Sequence, residues 1–170
     1  MKKILICLSA LALVLGVYAS DAAPARATVL ALVEQQMRSW ETGDETAFRS
    51  TLHDQIVFAY PGKRLDQEGV LKIFRDWKTD FRETKLRIAA LVIEGHRFSV
   101  EYMFSSTNRT TGVQMAVGTV ATGEVRDGRL LIWKEYLDGR VSRLQAKGEL
   151  LIDEAADPFP WPDTPESRKP

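Results

Sequence analysis

The sequence predicts an α+β domain: an antiparallel sheet that follows three N-terminal helices in the chain and packs on them. Two patterns predict it. Up to about residue 83, apolar residues recur three and four apart, interrupted by one short extended run. After that point come four extended runs joined by short turns. No internal repeat competes with this reading.

The first helix is expected from about Thr28 to Glu41, where Val29, Leu32, Val33, Gln36, Met37 and Trp40 share one stripe. Gly43 ends it as a left-handed cap. Asp44 caps a second, short helix carrying Ala47, Phe48 and Leu52, because its carboxylate can accept orphan amide hydrogens. That helix is read as ending at His53-Asp54, where a protonated histidine suits the negative end of the helix dipole. Ile56–Tyr60 is a short strand stopped by Pro61-Gly62. Asp66 caps the third helix, with Glu68 in its first turn. Val70, Ile73, Phe74, Trp77 and Phe81 follow at helical spacing.

The strands come next. Leu86–Ile93 is apolar on both faces and turns at Glu94-Gly95-His96. Arg97–Asn108 alternates, with Phe98, Val100, Tyr102 and Phe104 on one face. A turn at Thr110–Gly112 leads to a long strand, Val113–Val125, in which Gly118 and Gly123 suggest bends or bulges. Arg126-Asp127-Gly128 is a tight turn into the last strand, Arg129–Leu137. Arg140–Gln145 reads as a short helical or irregular segment, and Gly148–Asp153 as a short strand or helix.

The termini read differently. Lys2 and Lys3, the apolar run from Ile4 to Val17 and the small residues of Val17-Tyr18-Ala19 describe a cleavable signal peptide over residues 1–20. The run is shorter than the ~20 residues a span needs, so no membrane span is expected after cleavage. The protein is expected to be exported, periplasmic or secreted. Cys7, the single cysteine, lies inside that run, so the mature chain can form no disulfide and no thiolate site. The expected domain covers residues 28–145. Residues 146–170 form an extension ending in a proline-rich tail, which holds five of the seven prolines along with Phe159 and Trp161.

The 170 residues suit one domain, and the formal net charge of zero argues against a nucleic-acid binder. His53 and His96 are far apart in sequence, so neither a zinc site nor another cofactor is expected.

Three stretches carry a resemblance: Trp40-Glu41-Thr42-Gly43-Asp44; Leu52-His53-Asp54 followed by Phe58-Ala59-Tyr60-Pro61-Gly62; and Asp127-Gly128-Arg129-Leu130 with Glu135-Tyr136-Leu137-Asp138. In this order the chain resembles the SnoaL-like branch of the nuclear transport factor 2-like superfamily. The resemblance implies a cone-shaped curved sheet around a deep pocket, and frequent dimers. It does not imply one reaction.

In the cyclases of that branch an aspartate at the end of the last strand is the acid–base group, and Asp138 matches it. Their histidine on the preceding strand is replaced here by Ala121. An isomerase of the ketosteroid type would need acidic groups near Tyr60, Gln36 and Ala121, and none matches. Counting by twos, Asp138 shares a face with Tyr136, Lys134 and Ile132, so Leu131, Trp133 and Leu137 fall on the other face. That second apolar face is read as a homodimer interface.

The aromatic set of Trp40, Phe58, Tyr60, Trp77, Phe81, Tyr102 and Phe104, joined by Tyr136, comes from elements expected around the cone. Either it is close-packed core or it lines a pocket for a flat apolar ligand. Three functions follow: binding of a small apolar or aromatic molecule; acid–base catalysis by Asp138 with Tyr60 or His53; or an interaction module whose pocket is filled.

Overall fold

A computed structural model describes residues 26–155. The expected signal peptide and the expected proline-rich tail, with Phe159 and Trp161, lie outside the described residues. Three helices, α1 (Arg26–Thr42), α2 (Glu45–Thr51) and α3 (Gln67–Asp80), pack in the curve of a six-stranded sheet that does not close. Its strands are β1 (Leu52–Tyr60), β2 (Lys63–Leu65), β3 (Phe81–Glu94), β4 (Arg97–Asn108), β5 (Gln114–Arg126) and β6 (Arg129–Leu137), and α4 (Val141–Ala146) follows. The spatial order is β2-β1-β6-β5-β4-β3.

Local chemistry sets the helix ends. The Gly43 amide donates to Ser39 O at 2.8 Å with Gly43 at φ +70°, and a Cβ there would also meet Lys78. The Asp44 carboxylate accepts from the Ala47 amide, and that of Asp66 from Gly69, each at 2.9 Å. The β5–β6 turn places Asp127 at φ 50° and Gly128 at φ 70°, the backbone of a tight hairpin.

Two boundaries differ from expectation. The second helix stops at Thr51, and His53 and Asp54 belong to β1, because Leu52 turns extended and pairs with Leu130. Phe81 is not helical either; it caps α3 and opens β3 opposite Asn108. Strand β2 was not expected, and 148–153 forms no strand or helix.

The meander β3–β6 is antiparallel, whereas β1 joins it by running parallel to β6. That pairing sets Phe58 beside Trp133, their rings stacked at 6.3 Å between centroids. A bulge in β6 changes the face count. Glu124 pairs with Ile132 and Val125 with Leu130, so Leu131 is the extra residue. Leu130 and Trp133 therefore both reach the core on the concave side.

Beyond the bulge the strand alternates as expected, but its inner face is the opposite of the expected one. Trp133 is 1% exposed, Leu131 is buried, and Trp133 and Leu137 line the inside of the cone. The residues read as a dimer interface are thus interior, while Lys134 and Tyr136 point away.

One end of the cone is filled. Val29, Val33, Phe48, Leu52, Phe74, Phe98, Val125 and Leu130 pack there, with Phe48 and Phe74 stacked at 4.5 Å. At the other end β5 outruns β6, and α4 takes over its edge. The Gln145 side-chain amide accepts from Ala116 N at 3.0 Å and donates to Ala116 O at 2.8 Å, replacing a missing strand. Beyond α4, Glu154 bonds Gln114 and, at 2.9 Å, Lys85.

Candidate functional site

At its open end the cone holds a cavity of about 290 Å³. This lies at the small end of the range for ligand sites. Helix α1 supplies Gln36 and Trp40, α3 supplies Ile73 and Trp77, and β1 supplies Phe58 and Tyr60. Strands β3 and β4 add Leu86, Tyr102 and Phe104. The far wall is Met115, Val117 and Thr119 of β5 with Trp133, Glu135 and Leu137 of β6, and Ser142 stands at the rim.

Glu135 is the one carboxylate in this lining. It sits on the inner face of β6 because it alternates with Trp133 and Leu137. Trp133 Nε1–H donates to its Oε1 at 2.8 Å, and the Tyr102 hydroxyl donates to the same oxygen at 3.0 Å. Tyr102 stands two strands away. Its ring can reach because β5 presents only the small Ala121 opposite Glu135 and Thr119 opposite Tyr102. Among the described residues no hydrogen bond reaches Oε2, which leaves that oxygen to the cavity.

Burial raises the Glu135 pKa above its ordinary value of 4.5, against the two hydrogen bonds, which lower it. Burial, and then the charge and hydrogen bond of Glu135, push Tyr102 well above its usual value, so it keeps its proton and acts as a donor. The arrangement is a carboxyl group held in apolar surroundings that can exchange a proton with whatever enters.

Gln36 is the second unusual group. It is 1% exposed, and neither its side-chain nitrogen nor its oxygen has a partner among the described residues. A buried amide left in this state costs about 1–3 kcal/mol.

Of the residues singled out from sequence, Trp40, Phe58, Tyr60, Trp77, Tyr102 and Phe104 come together in this lining. Phe81 does not. It stacks on Trp77 at 3.8 Å and faces a separate, smaller cleft shared with Glu41, Lys78 and Arg109. Tyr136 is 58% exposed on the outer face, between the inward-facing Glu135 and Leu137.

Asp138 lies past the end of β6 in solvent. Arg140 binds it at 2.7 Å, and those hydrogen bonds lower its pKa to about 2. It has neither the enclosure nor the raised pKa that acid–base work at the cavity would need. His53 is at the opposite end of β1 from Tyr60. Its Nδ1 accepts from Gln55 N, and its Nε2 is 3.7 Å from Asp127.

Glu135 was missed from sequence because β6 was assigned the wrong inner face. A signal was present: an acid in phase with Trp133 and Leu137 interrupts an otherwise apolar face. Among the described residues no group of three or more His, Cys, Asp or Glu gathers to hold a metal, and no helix is long and apolar enough to cross a membrane.

The model of the SnoaL-like domain family matches residues 33–133, more than half of the chain. No curated protein matches it. Solved structures share the fold. An LEH-like epoxide hydrolase of M. tuberculosis has a TM-score of 0.66 at 16% identity, covering 74% of this chain and 94% of that one. TsrD of Streptomyces laurentii has 0.64 at 22%, covering 74% and 98%. IdmH of Streptomyces antibioticus, a candidate polyketide cyclase, has 0.63 at 17%, covering 69% and 97%.

Proposed function

The chain belongs to the SnoaL-like domain family, and from that fold and the walls of its cone we propose that it binds a small, mostly apolar molecule there. The observation that carries this reading is the open cavity of about 290 Å³, walled by aromatic and aliphatic side chains and holding the polar groups of Gln36 and Glu135. Ligand sites combine such walls with a few placed polar groups. A filled interaction module would leave no such space.

Titration with 2-naphthol, followed by its fluorescence, tests the proposal. Saturable binding at one site per chain is expected, and Leu86→Trp, which fills the cavity, should abolish it while melting stays cooperative. Binding that persists in the filled variant overturns the assignment to the cone.

A second reading is favoured by Glu135. Burial raises its pKa, and Glu135 lines the cavity with both its hydrogen bonds on Oε1, so it can serve as the acid–base group of an isomerase, cyclase or hydrolase reaction. This replaces Asp138 in that role. We also take the protein to be exported, on Lys2, Lys3 and the apolar run after them. N-terminal sequencing of the protein from its native cells should show Met1 removed with the leader; a leader retained in the soluble protein overturns this.

A further inference from the structure

The charge balance of the cavity restricts what it can take. Among the described residues, its lining contains no Lys, Arg or His, and Glu135 is its one carboxylate. An anionic ligand would find no counter-charge and would lie beside a like charge. A plain hydrocarbon would cover Oε2 and leave it without a donor.

Two features favour a cation instead. Trp40, Phe58, Tyr60, Trp77, Phe104 and Trp133 surround the space, and aromatic faces attract ammonium groups. Trp133 and Tyr102 both donate into Oε1 of Glu135, which orients the carboxylate as an acceptor with Oε2 unused. Gln36 adds a second unpartnered acceptor oxygen to the same lining.

We propose that the cone selects a small hydrophobic amine, bound as its ammonium ion, with an N–H donated to Glu135 Oε2 and the hydrocarbon body against the aromatic walls. This rests on the reading of the cone as a ligand site and names the chemical class of the ligand. The protons balance in either starting state. An ammonium ion that meets the protonated carboxyl displaces that proton to solvent; a neutral amine takes it directly. The bound pair is ammonium and carboxylate in both cases.

Benzylamine, benzyl alcohol and benzoate have nearly the same shape and differ in charge, so calorimetric titration of the whole protein with each at pH 7 tests the class. Benzylamine should bind roughly tenfold or more tighter than benzyl alcohol, about the gain expected when a partly desolvated cation meets aromatic rings and a carboxylate. Benzoate should be weakest. In Glu135→Gln the ratio of amine to alcohol affinity should fall, leaving only what the aromatic walls contribute. The wild-type ranking stands as a test even if that variant fails to fold. Benzyl alcohol or benzoate binding as tightly as the amine overturns the amine class alone. No binding by any of the three overturns the cone as a small-molecule site, and the amine with it.

Discussion

The Tyr102 hydroxyl crosses β5 to reach Glu135 Oε1 at 3.0 Å, so a residue of β4 helps set the charge state of a residue of β6. This hydrogen bond favours the carboxylate and opposes burial. Tyr102→Phe should therefore raise the Glu135 pKa further and cost about 1 kcal/mol of stability. Carbon-detected NMR titration of the glutamate carboxyls measures the shift. An unchanged or lower value would mean that the hydroxyl does not bind the carboxylate in solution.

Glu135 also makes stability depend on pH in a direction opposite to most acids. Its folded pKa lies above the 4.5 of an exposed glutamate, so the folded state holds its proton longer than the unfolded chain does. The contribution is complete below about 4.5 and is lost as pH rises through the folded pKa. Removing the group with Glu135→Gln should flatten that fall. Urea melts of both proteins across this window give the difference directly; a wild-type advantage that grows with pH would contradict the raised pKa.

Much of this was legible in the chain because it is local. Asp44 and Asp66 cap through amides three residues on, and the alternation of Phe98, Val100, Tyr102 and Phe104 marks the inner face of β4. The aromatic walls were legible for the same reason. What escaped depends on partners distant in sequence. The parallel pairing of β1 with β6 brings Phe58 to Trp133 across some seventy positions, and no local pattern specifies it. The extra residue at Leu131 exists only against β5, and it sets Leu130 on the same side of β6 as Trp133. Alternation groups the residues of β6 correctly but does not say which group faces the helices, so the count places Asp138 on the inner face and passes over Glu135 for a residue that sits in water with Arg140.

Gly123 should tolerate no side chain. A Cβ there would stand 2.3 Å from Phe98 Cζ and 2.5 Å from the carbonyl oxygen of Ile132. The bare backbone lets the rings of Phe98 and Trp133 approach to 5.6 Å across β5. Gly123→Ala should cost about 1–3 kcal/mol by overpacking. Shortening Phe98 in the same background should recover only part, since the backbone clash remains. Equilibrium denaturation of both variants tests this, and a neutral Gly123→Ala would show that the sheet yields there.

Gln145 stands in for a strand, and its removal should open an edge. Without its amide, Ala116 loses the side-chain partner of both its N–H and its C=O. Gln145→Ala should cost about 1–3 kcal/mol for the groups left unpaired. The Ala116 amide should exchange with deuterium faster, while amides in the β5–β6 hairpin keep their protection. Uniform acceleration across β5 would instead mean that α4 holds the whole sheet.

Gln36 separates the needs of the fold from those of the site. Its amide is buried with no partner, which weakens the empty protein, and the apolar stripe of α1 would accept a methionine of similar length there. Gln36→Met should raise stability by about 1 kcal/mol, because it removes buried polar atoms that bind nothing. If Gln36 is kept for the ligand, the same change should weaken benzylamine binding, so that affinity falls as the melting temperature rises. The two movements must be seen together. A gain in stability with affinity unchanged would make the amide a tolerated defect. A loss of stability would show that Gln36 has a partner in the folded protein, such as an ordered water, and that its polarity serves the fold.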